Sequence, residues 1–270
     1  MSMLATRALK QIARRAGLER RHVAPARLAC ERLALATFGA RRERPDGRIL
    51  AYHSVGQRDW GVNDVSPRRF KRHLDLALQL GYRFVPAAQI AATGGGPRDL
   101  AVTFDDAARS VAAIAAPILR DYGIPFTVFA VTDWSDGKVD HFVGKVMTWG
   151  ELGDLAASGA EIGSHSVSHC DFGVMSAERC ERELEESRRI IRDRLGFTPE
   201  AFAIPLGQSG NWSPAAGRAA RKAGYALVYA QAEETRPADT VARTFVTHFD
   251  GDYIFRMLLR GAYDRWEEWF

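Results

Sequence analysis

Two aspartates, Asp105 and Asp106, close the apolar run LAVTFDD (100–106). Adjacent carboxylates at the end of a strand point in different directions, so one can bind a metal while the other stays free to take a proton. Alone, such a pair is as much at home in a solvated turn or at a helix N-cap. Further along stand His165 and His169, spaced so that both imidazoles can share one side of a turn. In a chain with seven histidines a pair of this kind also arises by chance. Together the three groups say more. Two imidazoles and one carboxylate form a facial triad with positions left for water and substrate, a set suited first to Zn2+ and also to Co2+, Ni2+ or Fe2+. The second aspartate then stands where a general base is needed, because a divalent metal lowers the pKa of water toward ~7 and polarises a carbonyl. The chemistry this points to is metal-assisted hydrolysis of an acyl bond.

The elements that must position these residues are legible as a regular alternation from residue 48 onward. Apolar or β-branched runs occur at 49–55, 82–87, 100–105, 126–131, 161–166, 202–205, 225–230 and 243–249. Several are near-continuous, as expected of parallel strands buried on both faces. Helical patterns separate most of them. Ser66-Pro67 opens a helix that Gly81 ends, and Thr148 with Glu151 forms a capping box before a helix that Gly159 stops. Ser176 and Ser213-Pro214 open two more, closed by Gly196 and Gly224. Repeated strand–helix alternation means α/β, a barrel or a doubly wound sheet, and about eight strands favour the barrel. Active sites of such folds lie at the carboxyl ends of the strands. His53, Asp105, Asp106, His165, the Leu206-Gly207 pair and His248 all follow strand ends, so imidazoles and carboxylates distant in sequence gather on one rim. Trp134 and Trp212 also lie where a sugar face could stack, whereas Trp60 and Trp149 read as packing.

VTFDD (102–106), EIGSHSVSH (161–169) and FAIPLG (202–207) in combination resemble the polysaccharide deacetylases with a NodB homology domain, carbohydrate esterase family 4. AYHSV (51–55), APILRDYGIPFTVFAV (116–131), MTWGELGDLAASG (147–159) and RDRLGFTP (192–199) agree in order. The resemblance covers roughly residues 48–250. It implies a distorted (β/α)7-type barrel that removes acetyl groups, N-acetyl first, from an amino sugar or glycan intermediate. Carried over by position, Asp105 matches the catalytic base, and Asp106, His165 and His169 match the metal ligands. Pro205, Leu206 and Gly207 match the third motif, whose backbone N–H helps hold the oxyanion. Three positions depart from the family. Ala107 stands where Gly is usual, Ala203 where an Arg orients the base, and Leu206 where Tyr precedes the Gly. Arg243, at the start of the last strand, is the candidate for the missing cation. His248 holds the chain position of the family's general acid in a poorly matching local pattern, and His53 is its rival.

An amide hydrolase for a small non-sugar molecule and a non-catalytic glycan-binding protein on the same fold are the other two readings. The intact set Asp105, Asp106, His165 and His169 counts against both. Composition is that of an ordinary globular protein, 46% apolar and 26% charged over 270 residues. Three cysteines, an odd number without CxxC spacing, argue against a disulfide framework. No run reaches 18 apolar residues, and the N-terminus lacks the continuous apolar core of a secretory signal. Cytoplasmic placement is the default expectation. Residues 1–47 read as a basic helical extension and linker, and 48–270 as the barrel with an amphipathic C-terminal tail. Residues 1–48 hold 12 Lys and Arg against 4 Asp and Glu, so the basic excess belongs to the extension. That argues against nucleic acid as a partner of the barrel. It leaves peripheral contact with an anionic membrane surface open for the face of Leu4, Ala8, Ile12 and Ala16.

Overall fold

The computed structural model describes residues 20–41, 44–231, 235–264 and 266. Helix α1 (Arg20–Phe38) precedes β1 (Arg48–Tyr52), and the short strands β2 (Ser54–Val55) and β3 (Asp64–Val65) follow. Then come α2 (Pro67–Gln79), β4 (Arg83–Phe84), α3 (Ala87–Thr93), β5 (Asp99–Phe104), α4 (Ala116–Asp121) and β6 (Phe126–Ala130). The next are α5 (Thr132–Ser135), α6 (Trp149–Ala157), β7 (Glu161–Ser164), α7 (Ala177–Leu195) and β8 (Ala201–Ala203). The chain continues through α8 (Pro214–Ala223), β9 (Leu227–Tyr229), β10 (Thr244–Phe245) and α9 (Asp252–Leu259).

Eight parallel strands form one curled sheet in the order β10-β1-β5-β6-β7-β8-β9, with β4 and β6 sharing one edge of β5. The eight apolar runs of the sequence are these eight strands. A single parallel bridge from Tyr229 to Val241 and a bond from Arg243 Nε to the Ala230 carbonyl span the seam between β9 and β10. The result is the distorted (β/α)7-type barrel that the resemblance implies.

The helix punctuation follows the capping residues. Ser66, Thr148, Ser176 and Ser213 each accept from the backbone N–H three residues on, and Thr148 with Glu151 completes a capping box. Gly196 and Gly224 close α7 and α8 in the left-handed conformation.

Strand alternation decides what faces inward. Ile49, Ala101, Phe129, Ala201, Ala203 and Tyr229 pack together inside the curl. Leu50, Tyr52, Val102, Phe104 and Ile162 join the larger cluster beneath the helices. Gly163 belongs to the inward set, since a Cβ there would lie 2.6 Å from the Phe129 ring. Counting on by twos from Ile49, Ala101 and Gly163 reaches His53, Asp105 and His165. Interior parity therefore aims three candidate site residues at the mouth of the barrel.

Part of the N-terminal segment, read as a basic helical extension, packs on the barrel through α1. Arg32 of α1 is fully buried and pairs with Asp250, its Nε 2.7 Å from Oδ1. Its guanidinium also covers the Tyr263 ring. At the start of β1, buried Arg48 meets Asp264 at 2.6 Å, and Trp266 stacks on Phe245. The near part of the C-terminal tail thus covers the bottom of the barrel. Leu4, Ala8, Ile12 and Ala16 lie outside the described residues, as does the end of the tail. Among the described residues no helix is long and apolar enough to cross a membrane.

His73 of α2 is buried between three groups. Its Nδ1 faces the Tyr52 hydroxyl at 3.1 Å, its Nε2 faces the Asp250 carbonyl at 2.6 Å, and its ring stacks on Phe255 at 4.0 Å. Burial, outweighing the Asp250 carbonyl, pushes its pKa down from 6.5 to about 4. Below pH 6.5 the unfolded chain takes up a proton that the folded chain refuses. Stability is therefore whole above pH 6.5 and falls as pH drops toward 4. The expected loss from this group is about 2 kcal/mol between pH 7 and pH 5. Urea unfolding at both pH values checks it, and His73→Gln should show the shallower dependence.

Candidate active site

Asp105 and Asp106 end β5 and separate at once. Asp105 keeps the inward parity of Ala101 and Thr103. Asp106 and Ala107 turn away in the left-handed region, at φ 66° and 51°. This turn explains the glycine that the related motif favours after the pair, since glycine enters it without strain. Ser166 (φ 70°), His169 (φ 55°) and Leu206 (φ 64°) share the same region. Four of the six described non-glycine residues with positive φ thus lie in the three motifs and a fifth, Ala107, directly follows one, where such strain collects when function requires a fixed geometry.

Asp105 is buried in a bidentate pair with Arg243, with Nη1 2.6 Å from Oδ1 and Nη2 2.8 Å from Oδ2. Arg243 Nη1 also donates to Thr103 Oγ1 at 3.2 Å, and its guanidinium lies over Phe129. Burial alone would push the Asp105 carboxyl up. The Arg243 charge, then His165, the Arg243 hydrogen bonds and His53 together outweigh it and hold the group well below the usual carboxylate range. The cation absent at Ala203 is thus supplied from across the barrel by the segment leading into β10.

Asp106, His165 and His169 converge. One donor atom from each lies within 4.8 Å of the others. Asp106 Oδ1 stands 3.4 Å from His169 Nε2 and 3.7 Å from His165 Nε2. Ligands at bond lengths of ~2.0–2.1 Å around a tetrahedral ion are separated by about 3.4 Å, so these spacings suit a divalent cation. Two further observations agree. Asp106 Oδ1 is buried and accepts no hydrogen bond among the described residues. His165 Nδ1 lies 2.9 Å from the Ala203 carbonyl, which fixes the tautomer with the proton there and leaves Nε2 as a lone-pair donor. Burial, ahead of the nearby carboxylates, holds the His165 pKa down at about 4, so the ring is neutral.

The loop between the two histidines is clamped from α7. Glu183 Oε2 accepts from the Val167 and Ser168 N–H groups, both at 3.0 Å, and Oε1 from Ser168 Oγ at 2.7 Å. Ser166 Oγ accepts from the His169 N–H. Trp134 stands beside the site with its ring stacked on Phe142 at 3.6 Å and near-parallel to His169 at 5.1 Å. It is engaged by protein neighbours and braces His169.

Three expectations are corrected. Trp212 is not at the rim. The chain turns at Leu206 and Gly207 and returns the indole into the core, 7% exposed, against Phe172 and Phe202. His248 makes its contacts with the loop before β3, with α2 and with Phe249, and no hydrogen bond with Asp105 among the described residues. Its N–H donates to the Val62 carbonyl, its carbonyl accepts from Arg69, and its ring lies against Phe249 and the Gly61 carbonyl. Trp60 is not mere packing, because its Nε1 donates to Asp106 Oδ2 at 2.9 Å. His53, by contrast, is close enough for its charge to act on Asp105. Its Nδ1 is buried without a hydrogen-bond partner among the described residues, and its ring edge meets Phe245. Pro205 is buried, and Leu206 exposes half its surface just past the strand that holds His165. Trp60 and Glu183 carry no sequence signal of their own, since neither lies in a motif or at a periodic position.

The profile of the polysaccharide deacetylase family matches residues 93–228. YxkH of Bacillus subtilis (strain 168), assigned by name to the polysaccharide deacetylases, is 23% identical over 184 residues, 66% of this chain and 62% of YxkH. The match therefore spans less than two thirds of that relative's length. Among solved structures, the Streptococcus pyogenes deacetylase PplD, in complex with acetate, superposes with a TM-score of 0.67 at 19% identity. The alignment covers 79% of this chain and 98% of PplD. IcaB from Ammonifex degensii gives 0.65 at 22% identity over 82% of this chain and all of that one. At these identities the structures share the fold.

Proposed function

The chain belongs to the polysaccharide deacetylase family, and on that premise we propose that it hydrolyses acetyl groups, N-acetyl first, on an amino sugar of a glycan or glycan intermediate. The observation that carries this reading is the convergence at one barrel mouth of a neutral His165, His169 and the orphaned Asp106 Oδ1 beside a charged, Arg243-bound Asp105. Asp106, His165 and His169 would hold a divalent cation, Zn2+ before Co2+, Ni2+ or Fe2+. Such a cation supplies Lewis acidity toward the acetyl carbonyl and eases loss of a proton from water.

The remaining work falls to the chain's own groups. Asp105 takes the proton of the attacking water. Its charge is secured by Arg243, and each oxygen keeps a second lone pair beyond the ion pair. His53 gives a proton to the departing amine, a role its approach to Asp105 and its unpartnered Nδ1 support over His248. The backbone N–H groups of Leu206 and Gly207, in the turn after Pro205, serve the oxygen of the acyl group, since donors placed there stabilise developing negative charge most.

The test is acetate release from a panel of chito-oligosaccharides after loading with Zn2+ or Co2+, run beside metal analysis of the wild type and His165→Ala. Metal and acetate release in the wild type, both lost in His165→Ala, are the expected result. Metal without acetate release would redirect the reading to other acyl substrates. Absence of both would leave a glycan-binding barrel as the better account.

A further inference from the structure

The two oxygens of Asp106 have different fates. Oδ2 accepts the Trp60 indole N–H at 2.9 Å, while Oδ1 is buried, accepts no hydrogen bond among the described residues and faces both imidazoles. We propose that Trp60 is the positioning residue of the cation site. Its N–H holds Oδ2 turned away, so that Asp106 presents Oδ1 to the two imidazoles, and the loop at Arg58–Asn63 is folded to hold that indole in place. The inference rests on the triad being a cation site, as argued above.

The loop is pinned on both sides of Trp60. Before it, the Gln57 side chain reaches across the barrel mouth, with Nε2 donating to the Lys145 carbonyl at 2.8 Å and Oε1 accepting from the Ser110 N–H at 3.0 Å. The Gln57 N–H donates to Asp64 Oδ1. After it, the His248 N–H holds the Val62 carbonyl at 2.9 Å. This gives His248 a structural task.

The turn between these anchors passes through Gly61 at φ 56° and ψ −120°, a combination that only glycine enters without strain. Side-chain stacking continues the brace. Trp60 meets Phe142, Phe142 stacks on Trp134, and Trp134 lies beside His169. One row of rings thus joins the carboxylate's partner to the second imidazole. A carboxylate with both oxygens free can rotate or bind through both. Groups that hydrogen-bond a metal ligand from behind fix its orientation, and their loss typically weakens metal binding 10–100-fold.

Co2+ titration with visible absorption tests this without turnover. Trp60→Phe keeps the ring and deletes the N–H. It should weaken Co2+ binding by about 10–100-fold and lower the intensity of the visible bands, as Asp106 adds its second oxygen and the coordination number rises. Gly61→Ala keeps the indole but strains the turn, and should weaken binding by a second route. Phe142→Leu removes a ring neighbour while sparing the N–H, and should stay within about threefold of wild type, well inside the 10–100-fold range. Urea unfolding of the metal-free variants separates loss of the site from loss of the fold. Wild-type affinity and spectrum in Trp60→Phe and Gly61→Ala would overturn the proposal and leave the cation site standing. Equal losses in Phe142→Leu and Trp60→Phe would also overturn it, since packing would then suffice. A wild-type chain that binds no Co2+ would overturn the cation-site reading itself, and this inference with it.

Discussion

Asp105→Asn is expected to lower kcat by about 10³-fold, within the ~10²–10⁴ that a positioned general base contributes, while the chain still binds its cation. Asp106→Asn should do the reverse and lose the cation first. The two neighbours separate because Asp106 enters the left-handed region, which sends its carboxylate toward His165, His169 and Trp60. Asp105 stays on the inward parity of β5 and meets Arg243. Asparagine at 105 keeps one oxygen for Arg243 but turns an NH2 toward the other Nη. It also removes the charge that compensates a buried guanidinium, so some stability is lost as well. Steady-state acetate release with metal analysis of the same samples reads both effects. A kcat within tenfold of wild type, with the cation bound, would place the base elsewhere.

Much of this arrangement is legible in the sequence because strands alternate. His53, Asp105 and His165 are each an even number of residues from an interior-packing position on the same strand, so the period that defines the strands also aims these side chains. The capping residues fixed the helix limits just as directly, because their chemistry is local. What escaped the sequence depends on contacts made across long stretches of chain. Trp60 sits in a loop without periodicity, and its meeting with Asp106 follows from anchors at Gln57, Lys145 and His248. Trp212 follows the third motif closely enough to suggest the rim, yet the turn at Leu206 and Gly207 returns it to Phe172 and Phe202. Arg32 reads as one more arginine on a basic helix. Its burial depends on Asp250, far along the chain. Glu183 likewise reads as part of a charged helix face, and only the fold brings it beneath the loop that carries His169.

Arg243 stood between these extremes, and replacing it should have the largest effect on stability. Its sequence position marked only the start of the last strand. Curling of the sheet sets that strand beside β1 and one step from β5, so the guanidinium reaches Asp105 through the barrel interior. Arg243→Met keeps an apolar stem and removes the charge together with the guanidinium that lies over Phe129. Asp105 is then a buried carboxylate without its counter-ion, and burial, no longer opposed by the guanidinium, favours its protonated form. Breaking a buried pair from one side costs about 3–5 kcal/mol, and a protonated Asp105 cannot accept the proton of water. Urea unfolding should show the loss, and kcat should fall with it while KM changes little. The double variant Arg243→Met/Asp105→Asn discriminates the cause. With no charge left on either side, it should be more stable than Arg243→Met alone, since a neutral pair avoids the cost of an uncompensated ion. Additive losses would mean that the two residues act independently, and would remove Arg243 from its place behind the base.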